Sequence, residues 1–395
     1  MHMKKKTKIN FKPLLEFCRS QWKNLIHVLG ITVLAVLFAR FIVYDLMSLS
    51  VFAPMEKATD FQMSDIYQSV AESKAIHQLS SEITIVSIDG YSRADVLDAI
   101  NLISEYSPAA IGLDIFFPIP EADNTYLLST LSSVPNIVCA GMFERDQDAS
   151  TYHHNKQSFY EDSLDITYGY VNLNASSQRD VIREFVPYVL TSTGDTLFSM
   201  PANLARLYNT KRFNTCIARC KPTEIIAFEN IEFPIIPIQE VLDETADQSL
   251  ITNRIILIGD VHNINDIYLS PIHELIPGVK LHAYALQTVL SDNYINSSAT
   301  WFNWFIAILL CMFFVICNIF AKYHLGNLDN LFIRIAQFVI MYILLVIGCV
   351  YFARHHAYID FSPSILMIGF GAVAFDLWFG CYTMYELIKS KISKK

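Results

Sequence analysis

The sequence predicts an α/β extracytoplasmic domain, a mostly parallel or mixed sheet with flanking helices, joined to α-helical transmembrane segments, one before it and three after. Three observations carry that prediction. Ser81–Phe117 reads as strand, helix, strand, the crossover unit of a parallel sheet, which is right-handed in about 98% of cases. Apolar runs long enough to cross about 30 Å of hydrocarbon flank the middle of the chain on both sides. Basic residues gather at the two ends, although the 395-residue chain as a whole carries a net charge of −9.

Residues 1–24 are polar and hold seven Lys or Arg against one Glu, as a cytoplasmic tail would. Residues 25–46 form the first span. No small-residue cleavage pattern follows it, so a retained signal anchor is expected. Residues 47–299 form the extracytoplasmic domain, which opens with a polar, partly helical connector reaching to about 80. Ile83, Ile85, Val86 and Ile88 then make a β-branched run ending on Asp89. Ser92 is placed to cap a helix whose Val96, Ile100, Ile103 and Tyr106 recur at helical spacing, and Ser107-Pro108 stops it. Ala109–Phe117 is a second strand and carries Asp114.

Downstream, Asn124–Ser132 reads as a helix and Asn136–Ala140 as a strand. Gly141–Asp165 has no period and is expected to be loop. Ile166–Val171 and Glu184–Leu190 are strands flanking a turn at Ser176–Asp180, and Leu197–Tyr208 is a helix. Glu224–Phe233 resembles a hairpin turning at Glu229-Asn230. Pro234 and Pro237 mark a sheet edge or loop before a short Gln239–Asp243 helix. Arg254–Gly259 is the cleanest buried strand and ends on Asp260. Gly278–Leu290 closes the domain as an amphipathic helix holding His282. Residues 300–388 contain three spans, about 301–321, 333–353 and 361–386, and 389–395 is a second basic tail. By the positive-inside rule both termini are cytoplasmic.

Composition narrows the function. A 53% hydrophobic content and a mean hydropathy of +0.33 belong to a membrane protein. Between Asp45 and Thr300 there are 33 acidic and 14 basic residues, which excludes a nucleic-acid partner for the large domain. Cys216 and Cys220 lie four apart, spaced for a local disulfide or for two free thiols. No cysteine spacing resembles a zinc site. No nucleophile elbow, catalytic Cys/His context or Walker glycine loop is present, so neither an enzyme nor a cofactor is expected.

Asp89, Asp114 and Asp260 fall at the carboxyl ends of strands, the edge where open α/β sheets place ligands, and Asp123 is expected nearby. Asp266, His273 and His282 follow the last strand. Such a group could hold Mg²⁺ or Ca²⁺, recognise an amine or sugar hydroxyls, or work as an acid/base pair. Whether a metal binds stays open. The plainer reading is structural, since an Asp ending a strand often caps the next helix or turn. Within the membrane segments the notable polar residues are Arg40 and Asp376. At about 1.5 Å per residue their depths differ by over 10 Å, so Arg334 is the better partner for Asp376.

The same residues carry a family resemblance. IVSID, AAIGLDIFF with Pro118 and Asp123, the NIVCAG strand, Asp180-Val-Ile-Arg183, IPIQEVL, RIILIGD, Asp266, Pro271 and PGVKLHAYALQTVL together resemble a CHASE2 domain across roughly residues 50–295. Two departures stand out. Gly90 occupies a position that is usually acidic, and Asp180-Val181 replaces the usual Asp-Gly. The resemblance implies a sensory domain outside the cytoplasmic membrane of a bacterium, with Asp89, Asp114, Asp123, Arg183, Asp260, Asp266 and His282 as ligand-binding candidates. It implies an unknown extracytoplasmic ligand and, commonly, a homodimer. Relatives usually continue into a cyclase or kinase, whereas only about ten residues follow Tyr385 here, so output is expected from a separate protein partner. The alternative is an assembly subunit of an envelope complex, using the acidic domain as a platform.

Overall fold

The computed structural model describes residues 12–41, 62–73, 78–146, 151–161, 163–173, 181–228, 231–272, 274–324 and 329–392. The chain divides into two compact units: Ser64–Asn296 with Phe352–Ala357, and the remainder. The main sheet comprises β1 (Ile83–Ser87), β2 (Ala110–Leu113), β3 (Ile137–Arg145), β4 (Tyr152–Asn155), β5 (Thr167–Tyr170), β6 (Ile235–Pro237) and β7 (Ile255–Gly259). The helices begin with α1 (Lys12–Arg40), α2 (Met63–Glu72), α3 (Arg93–Glu105), α4 (Asn124–Ser133), α5 (Met200–Tyr208) and α6 (Thr210–Ala218). They continue with α7 (Ile238–Leu242), α8 (Gly278–Ser291), α9 (Thr300–His324), α10 (Asp329–His355) and α11 (Ser362–Ile392).

Six strands run parallel in the order β6-β1-β7-β2-β3-β5. Every residue of β1 and β7 is buried, as a parallel sheet covered on both faces requires. Alternation sorts their side chains. Ile83, Ile85, Ile255 and Leu257 pack with Leu204 of α5 and Leu281, Ala285 and Val289 of α8. Val86, Ile256 and Ile258 pack on the opposite face with Val96, Ile100 and Ile103 of α3, Leu127 of α4 and Val241 of α7. Ser92 caps α3 through a full capping box with Asp95. At the amino edge Arg254 fixes the strand ends: its Nε donates to Thr84 Oγ1 at 2.8 Å and its Nη2 to Ile83 O at 2.8 Å. That edge is thus committed to structure.

Several expectations are corrected. Gly141–Asp165 is not simply loop, because β3 runs on to Arg145 and pairs antiparallel with β4. Glu224–Phe233 is not a hairpin. Glu224–Ile225 pairs antiparallel with Glu184–Phe185, and Ile231–Glu232 pairs parallel with Gln78–Leu79. Thr196–Phe198 is strand, pairing with Tyr188–Leu190, and α5 starts only at Met200, beyond the Ser199 cap. The turns expected at 176–180 and 229–230 lie outside the described residues. Cys216 and Cys220 are free thiols. The first packs into the core from α6 while the second is exposed beyond that helix's end, so no disulfide joins them.

In the other unit α1, α9 and α11 share a core. Val28, Ile31, Ala35 and Ala39 meet Ala307, Cys311, Val315 and Ile319, with Met367, Ala374, Phe375 and Phe379 completing it. His27 accepts a hydrogen bond from Trp378 Nε1 at 2.9 Å. Thr300–Lys322, Leu331–His355 and Ser362–Ile392 are each long and apolar enough to cross a membrane. The apolar part of α1, Asn24–Arg40, is shorter, and the remainder of the expected first span lies outside the described residues. Arg40 sits exposed in the last turn of α1. Asp376 meets Arg334, whose Nη2 donates to its Oδ2 at 2.9 Å.

Candidate functional site at the carboxyl edge of the sheet

β7 lies between β1 and β2, so the three strands deliver Asp89, Asp260 and Asp114 side by side at the carboxyl edge. Two groups of side chains form there. In the first, Ser87 Oγ donates to Asp89 Oδ2 at 2.6 Å, and His262 Nδ1 lies 2.6 Å from the same oxygen. The Asp260 side chain turns back to accept the His262 backbone N–H at 2.9 Å. Asp89 Oδ1 is buried with no N–H or O–H donor, and the neighbouring group is the Asp260 carboxyl. A hydrogen bond between two carboxyls needs a proton on one of them, and Asp260, the raised member, is the more basic. Burial alone would raise Asp89, but hydrogen bonds from Asp260, Ser87 and His262 outweigh it and bring the group to about 2. Asp260 moves the other way, raised by burial and then by Asp89 beside it.

The second group is deeper. Asp114 and His282 expose only 12% and 7% of their side chains, and His282 Nε2 stands 4.0 Å from Asp114 Oδ2. Burial pushes Asp114 up to about 7. Asp266 rises to about 6, first through burial and then through the charge of Asp114. Burial lowers His282 to about 4, against the pull of Asp266. Tyr268 and the Gly278 backbone lie beside Asp266, which places this carboxylate at the start of α8. Gly259 lets α8 come close, because a Cβ there would stand 2.9 Å from Val279 Cβ. Among the described residues neither Asp114 nor Asp266 has a Lys or Arg within ion-pair distance.

A family model described as the CHASE2 domain matches residues 31–319. The chain belongs to the CHASE2 family. No curated protein and no solved structure matches it. CHASE2 domains are extracytoplasmic and sensory, and this one comes with helices able to span a membrane.

The remaining candidates of this CHASE2 domain are placed apart from the edge pair. Arg183 is buried and bidentate with Asp65 of α2, Nε to Oδ1 at 2.7 Å and Nη2 to Oδ2 at 2.8 Å. Asp123 lies 3.3 Å from Arg93 Nε. Arg93 in turn donates to Ile119 O and Asn124 Oδ1 and stacks against Phe117 and Phe159, holding the loop after β2. His273 lies outside the described residues. Ser87, Arg93, His262 and Asp65 escaped the sequence reading. The first and third could have been found from their position two residues from an edge Asp; Asp65 and Arg93 gave no such signal. Among the described residues no three or more His, Cys, Asp or Glu side chains are disposed to hold a metal ion. The arrangement is suited to exchanging protons and to making directed hydrogen bonds.

Proposed function

We propose that this chain is a multi-pass receptor of a bacterial cytoplasmic membrane, with its large domain outside and both termini inside. Its CHASE2 domain senses an envelope or external signal without catalysis, and the membrane helices pass the response to a separate partner protein. The observation that carries this reading is the carboxyl edge. Three adjacent parallel strands end in carboxylates whose protonation is displaced in opposite directions, and such displacement concentrates at sites that bind or respond. The amino edge, by contrast, is closed by Arg254.

The acidic excess between Asp45 and Thr300 favours a second reading, an envelope assembly subunit docking a basic partner. Affinity capture of the tagged, detergent-solubilised chain from its own membranes separates the two. Co-purification of a kinase, cyclase or other signalling protein, lost when Asp89 and Asp260 are both changed to Asn, is the expected result. Recovery of envelope machinery indifferent to those changes would move the assignment to the assembly subunit.

A further inference from the structure

We propose that the ligand of this edge is the proton itself, taken up at Asp114 and Asp266 beside His282, and that its uptake alters the hold on the first turn of α8. The inference rests on the reading of the carboxyl edge as the sensing site. Geometry carries it. Two carboxyls and an imidazole converge from the end of β2, the loop after β7 and the first turns of α8, and no Lys or Arg among the described residues neutralises them. Uncompensated charge in such surroundings is resolved by protonation rather than by pairing.

The groups facing the triad sharpen this. Tyr268 supplies a phenol held above its ordinary range by burial and by Asp266, so it stays neutral. Lys280, on α8, points to the Tyr284 ring at 5.9 Å. The Asp89–Asp260 pair, with His262, lies one strand away and retains a negative charge through Asp89. His282 also lines a cavity of about 10 Å³ walled mainly by Leu173, Phe185, Ile226, Leu281 and Ala285. That is too little for an amine or a sugar.

With Asp114 near 7, Asp266 near 6 and His282 near 4, acidification from pH 8 to 5 adds protons to both carboxyls while the imidazole stays neutral. Ionised Asp266 sits at the start of α8, where the cost of burying its charge exceeds what the helix N-terminus returns. Protonation removes that cost and settles the first turn of the helix. α8 ends at Ser291, and α9 follows in sequence from Thr300.

The test uses the full chain in lipid nanodiscs. Infrared difference spectra between pH 5 and 8 should contain a carboxylic-acid band that titrates, diminished by Asp114→Asn and removed when Asp266→Asn is added. Hydrogen exchange at Val279–Ala283, corrected for intrinsic rates, should be about two- to fivefold more protected at pH 5 than at pH 8, and level in the double variant. Absence of a titrating band, or an unchanged band in both variants, overturns the proposal. Should Asp114→Asn fail to fold, Asp266→Asn alone must still flatten the α8 response. Failure of the sensing reading has a different signature: no partner is captured at any pH while the band still titrates.

Discussion

The carboxylate of Asp266 occupies the space that a side chain at residue 278 would need. A Cβ built on Gly278 would stand 2.7 Å from Asp266 Oδ1 and 2.8 Å from its Cγ. Gly278→Ala therefore has to displace the 264–266 turn or tilt α8. Overpacking of this kind costs about 1–3 kcal/mol, a drop of roughly 2–10 °C in melting temperature for a domain of this size. Thermal unfolding of the purified chain measures it. An unaltered midpoint would show that Asp266 does not rest on the start of α8.

Arg183 answers to a different logic. It and Asp65 expose 9% and 3% of their side chains and are joined by two hydrogen bonds. Arg183→Ala takes this cation away from a buried carboxylate, a loss of about 3–5 kcal/mol. Replacing both, Arg183→Met with Asp65→Leu, removes the buried charge and should cost clearly less than the single change. Melting temperatures of the wild type and the two variants decide it. A fully stable Arg183→Ala protein would return Arg183 to the list of ligand contacts.

The sheet was legible where one physical signal acted alone. β1, β2 and β7 are continuous apolar runs ended by Asp, and α3 announces itself by Ser92 and an apolar stripe. What failed depends on partners distant in sequence. Glu224–Ile225 and Ile231–Glu232 read as two arms of a hairpin, yet each pairs with a different strand far away. β4 has the composition YHHN and takes its place by pairing with β3, with one bridge from Tyr152 to Thr191. At the site, the three strand-end carboxylates could be read from the pattern. Their division into a shallow pair with His262 and a deep pair with His282 could not, because it follows from how far α8 penetrates past Gly259 and Gly278.

Asp114 makes the stability of the domain depend on pH in a definite direction. The folded chain holds its proton up to about 7, whereas the unfolded chain releases it near 4. Its contribution is full below pH 4 and is lost as pH rises to 7, at about 1.4 kcal/mol per unit. Asp266 acts in the same sense up to about 6, and His282 opposes both between about 4 and 6.5. The triad as a whole therefore loses stability on going from pH 4 to 7. Asp114→Asn should flatten that decline, gaining on the wild type by a few kcal/mol between pH 5 and 8. Melting curves across this range check the sign, and an unchanged slope would mean that Asp114 is not buried in the folded protein.

In the membrane unit, Asp376 is 61% exposed on α11 and Arg334 is its cation from α10. Arg334 also reaches Gln337 Oε1 at 3.2 Å and the Ala372 carbonyl at 3.4 Å, so the pair ties α10 to α11. Few other contacts can do so. α10 turns Phe338, Tyr342, Val346 and Val350 outward and takes no part in the core shared by α1, α9 and α11. Arg334→Gln strands a carboxylate in an apolar span, at a cost of about 2.5–3.5 kcal/mol on an insertion scale. Asp376→Asn strands the cation similarly, while the double change leaves two amides able to bond across the helices. A double-mutant cycle in nanodiscs should thus return a favourable coupling, of about 1 kcal/mol or more for a hydrogen-bonded charge pair. Additive effects of the two changes would show that α10 is held by something other than this pair.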